Sequence, residues 1–419
     1  MTRKLRTSIY SEIGQLEGVI LHTPGKEVEN MTPRHAEKAL YSDILNRRIV
    51  DREYNQFRGA LEKITKTFQV KDLLSGVLVN EKVKQDLIQK ITTNEHVEFL
   101  QDYLLNLPAP ELATQLIEGV TLKVDNLSKY LSGERYALQP LHNFFFTRDA
   151  SVSMYNKVLI GRMANTVRDR ESIIMESIFD FSDEISGMTI NPVNNRCFKK
   201  EVTLEGGDVL IARDDILLIG MGGRTSSQAI DCLIERFKRE KKTQHIFVQE
   251  LPLTPESFIH LDMVFTFLDK DKVMTFDPLV FHDSKHITIH ISTDNGKVKI
   301  NEEKNLLSGL KKLGMDLQHI SCGGTKDSYI QEREQWHSGA NFFAFAPGKV
   351  IGYERNVHTI EELNKNGFEV LKAQDIIDDK VNVNDYKKCV VTIQGSELTR
   401  GGGGCRCMTM PVKRKAVKW

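Results

Sequence analysis

The 419-residue sequence has no surplus of either charge: 57 Lys and Arg balance 57 Asp and Glu, a formal net charge of +0. A chain that grips a phosphate backbone needs a basic excess, so no nucleic acid is expected as partner. No apolar run approaches the roughly 18 residues needed to cross a bilayer, so no membrane partner is expected either. The first residues, Met1-Thr-Arg-Lys-Leu-Arg, are basic, but Ser8-Ile-Tyr-Ser-Glu-Ile-Gly follows where a secretory signal would carry its apolar core. Cysteine is scarce as well. Cys197, Cys232, Cys322, Cys389, Cys405 and Cys407 show no regular spacing, which fits neither a disulfide framework nor a zinc site. The expected setting is the reducing cytosol.

What is present is ordinary globular composition, 40% hydrophobic and 27% charged. One internal repeat organises it. Residues 149–161 read DASVSMYNKVLIG and residues 208–220 read DVLIARDDILLIG, each an acid, an apolar strand, a polar turn and a second apolar strand closing on glycine. A looser copy starts at Asp262-Met-Val-Phe-Thr-Phe-Leu, and a fourth runs from Asn341 to Gly352. The chain start, Glu17 to Gly25, and its end, Val390 to Met410, are placed to close a circle with them. Helical patterns such as Ser227 to Phe237 fall between the hairpins, so the class is α/β with strands inside and helices outside. Residues 34–130 break the pattern with helical apolar spacing and read as a helical segment, mostly an inserted bundle. The division is then 1–33 with 131–419 for the α/β body and 34–130 for the insertion.

Polar residues recur at the heads of the apolar strands: Asp149, Glu205, and the pair His260 and Asp262. Side chains alternate along a strand, so His260 and Asp262 are expected to share one side. The last repeat ends in "GGGGCRC", residues 401–407. A thiolate attacks electrophiles, a histidine moves protons, and carboxylates hold a cation. A guanidinium suits such a ring of acids, being planar, always charged and matched to carboxylates. Cys405 and Cys407 are two apart, so in an extended segment spacing does not choose between them.

FTRD (146–149), LEGGD (204–208), HLDMVFTF (260–267), REQWHSGAN (333–341) and RCMTMP (406–411) occur in that order. Together they resemble the arginine deiminases of the guanidino-group modifying superfamily, over nearly the whole chain. The resemblance implies a five-bladed, pseudo-symmetric α/β propeller of pentein type with an inserted helical bundle. It implies that Cys407 is the nucleophile, His260 the acid and base, Asp149 and Asp262 the guanidinium holders, and Glu205 the acid orienting His260. Arg168 and Arg224, each 19 residues after an acid of the set (Asp149, Glu205), match positions that bind the substrate's α-carboxylate. Asn143 and Phe146 match positions lining the same pocket.

Cys405 reads as a small loop residue. Two positions depart from the family pattern: Gly402 stands where many members carry an arginine, and Met31 where leucine is usual. The expected function is a cytosolic hydrolysis of L-arginine to L-citrulline and ammonia through a covalent amidino-thioether on Cys407. No metal or organic cofactor is implied. Alternatives are a deiminase or amidinotransferase for another guanidino compound, and a non-catalytic arginine-binding relative. The sequence leaves a homo-oligomer open.

Overall fold

The computed structural model describes residues 4–32, 43–191, 202–281 and 285–419. The repeats fold as β-hairpins. Ser151–Met154 pairs antiparallel with Lys157–Ile160, Val209–Arg213 with Ile216–Met221, Phe265–Phe267 with Lys272–Thr275, and Phe343–Ala346 with Lys349–Tyr353. The two chain ends make a fifth hairpin, Leu16–Leu21 against Met410–Arg414. In each case a third strand then adds in parallel to one hairpin strand: Met188–Ile190, Gln244–Glu250, Gln318–Ser321, Cys389–Ile393 and Thr67–Gln69. Antiparallel neighbours need only a turn, but a parallel neighbour needs a crossover. Helices supply it: Asp169–Phe181, Ser227–Arg239, Leu306–Lys312, Val357–Lys365 and Arg47–Ile64.

The residues explain the layers. Val209–Arg213 and Ile216–Met221 are apolar on both faces and buried almost throughout, as strands covered on both sides must be. In Ser227–Arg239 the buried residues Ala229, Ile230, Leu233, Ile234 and Phe237 recur at helical spacing, while Arg236, Lys238 and Arg239 sit in the last turn, where the helix dipole favours cations. Each fully buried Leu or Ile side chain contributes roughly 1.5–3 kcal/mol. Among the described residues the strands form seven separate sheets, and none of them closes on itself.

The helical expectation for 34–130 covers two different things. Residues 33–42 lie outside the described residues. Arg47–Ile64 is a crossover, and it delivers Thr67–Gln69 to the sheet holding Leu16–Leu21. Beyond it, Val70–Val77, Glu81–Asn94, Gln101–Leu105, Ala109–Glu118 and Leu127–Ser132 form a separate helical group. Leu73, Ile88, Leu112 and Leu116 pack this group against Ile174 and Ile178 of the helix Asp169–Phe181.

One local expectation needs correction. His260 and Asp262 are not in a strand: Leu261–Met263 is a 3₁₀ turn, and the strand begins at Phe265. The Asp208 carboxylate accepts the Leu261 N–H at 2.9 Å and curls the chain at this point. A turn of about 120° per residue breaks the two-residue alternation, so the two side chains part company. Comparable short turns, Thr147–Ala150 and Gly206–Asp208, precede the first strands of two other sheets.

Candidate active site

A cleft of about 370 Å³ opens where these turns converge. Asn143, Phe146, Asp149, Arg168, Arg224, His260 and Cys407 all line it. Glu205 and Asp262 are not in its wall; both are fully buried behind it. His260 Nε2 lies 2.9 Å from Glu205 Oε2, and its Nδ1 is 3.7 Å from Asp149 Oδ1. The Cys407 thiol sits 3.8 and 3.9 Å from the two Asp262 oxygens and accepts a hydrogen bond from Asn341 Nδ2 at 3.2 Å. The nine expected site residues are therefore brought to one place, seven in the wall and two beneath it.

Backbone choices make the room. A Cβ on Gly207 would meet the His260 ring at 2.5 Å, so the glycine of LEGGD lets the imidazole lie flat against the chain. In the glycine run, Gly402 has φ of +85°, a left-handed conformation that favours glycine. A Cβ on Gly403 would strike the Phe146 ring at 2.5 Å, and one on Gly404 the Asn341 side chain at 2.6 Å. The segment after the run turns and is not extended, so the two cysteines do not face the same way. Cys407 lines the cleft, whereas Cys405 is fully buried in the neighbouring core with Tyr353 and Met408. Cys197 lies outside the described residues.

Burial acts against every charge here, and the partners decide the outcome. His260 is raised to about 9: burial disfavours the imidazolium, but Asp149 and Glu205 outweigh it. Glu205 is lowered to about 2, since the same imidazolium overcomes the cost of burial. The Cys407 thiol is pushed well up by burial and then by the charges of Asp262 and Asp149. Burial alone raises the Cys405 thiol. Asp149, Glu205 and His260 are close enough to share a metal, with ligand atoms within 4.8 Å of one another. The Glu205–His260 hydrogen bond already uses one ligand atom of each, which suits proton handling better than ligation.

The arginine deiminase family model matches residues 37–414. The chain belongs to that family. A curated arginine deiminase of Bacillus cereus (strain B4264) is 32% identical over 429 residues, covering 98% of each chain. One from Borrelia garinii subsp. bavariensis is 33% identical over 432 residues, again covering 98% of each. Among solved structures, the product-bound N-terminal domain of ArgZ, a cyanobacterial arginine dihydrolase, superposes with a TM-score of 0.52 at 12% identity. It covers 95% of this chain and 97% of that one, a likeness of fold alone.

The site of this arginine deiminase family member includes residues that sequence reasoning left without a role. Asn341 frames the cysteine loop: its Oδ1 accepts from Arg406 N at 2.9 Å and Cys407 N at 3.3 Å, while its Nδ2 also reaches Asp262 O at 3.0 Å. Arg406 ion-pairs with Asp262 and with Glu12. Arg168 ion-pairs with Asp149, Glu171 and Glu205. Asn341 and Arg406 belong to quoted motifs, so a signal existed; Glu12 and Glu171 lie in none.

Proposed function

We propose that the chain hydrolyses L-arginine to L-citrulline and ammonia, with Cys407 as nucleophile and His260 as acid and base. The observation that carries the reading is the set in one cleft: a thiol, and beside it an imidazole held by Glu205 at 2.9 Å. The guanidinium is held by Asp149 and Asp262. Its charge cancels the two carboxylates that keep the Cys407 proton in place, so the thiolate becomes accessible as substrate binds. Cys407 Sγ then bonds to the guanidinium carbon. The C–N bond to one terminal nitrogen breaks, and His260, protonated at neutral pH, gives that nitrogen its proton as ammonia leaves. The neutral imidazole takes a proton from water, whose oxygen attacks the amidino-thioether carbon. The C–S bond breaks, and citrulline and the thiol are released. The chain supplies every group in this sequence; none of its steps calls on a cofactor.

The substrate carboxylate meets Arg224, which lines the cleft and keeps only a 3.7 Å ion pair with Glu205. Asn143 and Phe146 line the same end. The five hairpin-and-crossover units are read as five blades about the cleft, a pentein propeller. The inserted bundle is read as Val70 to Ser132, with Arg47–Ile64 belonging to the fifth blade. A cytosolic location is inferred. Among the described residues no helix is long and apolar enough to cross a membrane, and the five described cysteines are free.

The test is the purified chain with arginine and agmatine side by side, with ammonia and citrulline measured. Arginine-dependent release of both is expected. Arginine that binds but yields no ammonia would leave a binding protein and defeat the reading.

A further inference from the structure

Two buried arginines beside the cleft are held in the same way. Arg168 donates from Nε and Nη2 to the two oxygens of Glu171, at 3.0 and 2.8 Å, and from Nη1 to Asp149 Oδ2 at 2.8 Å. Arg406 donates from Nε and Nη2 to the two oxygens of Glu12, at 3.1 Å each, and from Nη1 to Asp262 Oδ2 at 2.8 Å. The match extends to the atom names. In both, a glutamate fills the Nε edge of the guanidinium in a bidentate fork, and the remaining nitrogen reaches an aspartate. All six side chains are at least nine-tenths buried.

The aspartates are correspondingly half used. Asp149 Oδ2 is taken by Arg168, whereas Asp149 Oδ1 is buried without a hydrogen-bond partner in a residue that lines the cleft. Asp262 Oδ2 is taken by Arg406, and Asp262 Oδ1 meets the Cys407 thiol at 3.9 Å. Each aspartate is one of the two that the proposed function assigns to the substrate guanidinium, and the inference rests on that assignment.

We propose that Glu171–Arg168–Asp149 and Glu12–Arg406–Asp262 are two equivalent positioning triads, each fixing one guanidinium-holding aspartate by its outer oxygen, and that recognition of the substrate carboxylate therefore falls to Arg224 without Arg168. The physical case is charge and geometry. A lone buried carboxylate rotates and gains a proton; one pinned by a guanidinium keeps its charge and its direction. Each triad carries a net charge of −1, so two of them present an anionic pair to a cation of fixed shape. A third glutamate or a neutral partner would not do this. Without the outer glutamate, each arginine would cancel its own aspartate and leave the substrate nothing to neutralise. Arg168 has three of its five N–H groups committed to acids before any ligand arrives. Arg224, 15% exposed at its side chain, has no such commitment.

The test measures binding, not turnover, so it stands apart from the reading of the reaction. In a Cys407→Ser background, arginine and agmatine, which lacks the carboxylate, are titrated by calorimetry. Arg168→Lys is expected to weaken both ligands alike, by about tenfold or more, because it loosens Asp149. Glu12→Gln, which keeps an acceptor but loses the charge, is expected to weaken both alike as well. Arg224→Ala is expected to weaken arginine alone. Thermal unfolding of each variant separates positioning from misfolding, and Arg168→Lys with Glu12→Gln gives two independent routes to the answer. Arg168→Lys weakening arginine tenfold while sparing agmatine would overturn the proposal and restore Arg168 to the carboxylate. So would unchanged binding of both ligands in Glu12→Gln, or agmatine failing to bind the Cys407→Ser protein at tens of millimolar. Arginine that binds as expected here but is never turned over by the unsubstituted chain would count against the reaction and not against the triads.

Discussion

Glu205→Gln isolates the charge that keeps His260 protonated. His260 stands at about 9 against an ordinary 6.5, with burial opposing and Asp149, Glu205 and Asp208 favouring the proton. Glu205 stands at about 2 against 4.5, displaced by the same contact seen from its other end, so the interaction is counted once. A rise of this size is worth about 3 kcal/mol of preference for the imidazolium in the folded chain. The sign follows from linkage. A histidine raised by folding stabilises fully below its unfolded value of 6.5, and that stabilisation is lost as pH climbs through about 9. Glutamine keeps a polar head near Nε2 but removes the charge. The assay is a histidine-ring NMR titration of the empty protein, with His260 assigned by the resonance missing from His260→Gln. The ring is expected to titrate near 9 in the unsubstituted chain and roughly 1–2 pH units lower in Glu205→Gln. In urea unfolding, the stability gap between the two proteins should narrow between pH 6 and pH 10. A ring that titrates near 6.5 in the unsubstituted chain, or near 9 in both, refutes the reasoning.

Cys407→Ser should abolish turnover, because a hydroxyl is a far weaker nucleophile than a thiolate, while Cys405→Ser should retain most activity in a steady-state citrulline assay. The reverse pattern would move the nucleophile to Cys405. His260→Ala should still be attacked slowly but lack the base for water, so acid quenching with labelled arginine should trap label on the peptide containing Cys407. Label on Cys405, or citrulline at the normal rate, would defeat the two-step sequence.

The hairpins were legible because each is a short, self-contained signal. Residues 208–220 show two apolar runs, a polar turn and a closing glycine, and pairing follows directly from Val209↔Ile219 to Ile211↔Leu217. The third strands were not legible. Met188–Ile190 and Thr67–Gln69 are three residues long, and their parallel pairing depends on partners about 30 to 50 residues away. No local pattern marks such a contact. Thr67–Gln69 was consequently absorbed into a segment read as helical, and with it the point at which the inserted helices begin. His260 and Asp262 were placed in the right motif but on the wrong scaffold. The bond from Asp208 to Leu261 N–H that curls their segment spans 53 positions of sequence.

The same argument explains which site residues were found. Cys407, His260, Asp149 and Glu205 stand in motifs whose glycines and aromatics make space for them, as Gly207 does for the His260 ring and Gly403 for Phe146. Glu12 stands in no motif, and it is 394 residues from Arg406. Its importance is purely electrostatic. Around Cys407 the chain buries more acid than a thiol needs: Asp149 and Asp262 both raise it, and Arg406 does not offset them. That arrangement is a poor one for a general thiol nucleophile, which is activated by cations nearby. It becomes sensible only if the missing cation is the substrate. A guanidinium between Asp149 and Asp262 supplies the positive charge that the empty site withholds, so the thiol gains its reactivity in the presence of the one group it is meant to attack. Neutral or anionic electrophiles that enter the cleft bring no such charge, and for them the burial of Cys407 and its two acidic neighbours is a barrier that remains in force.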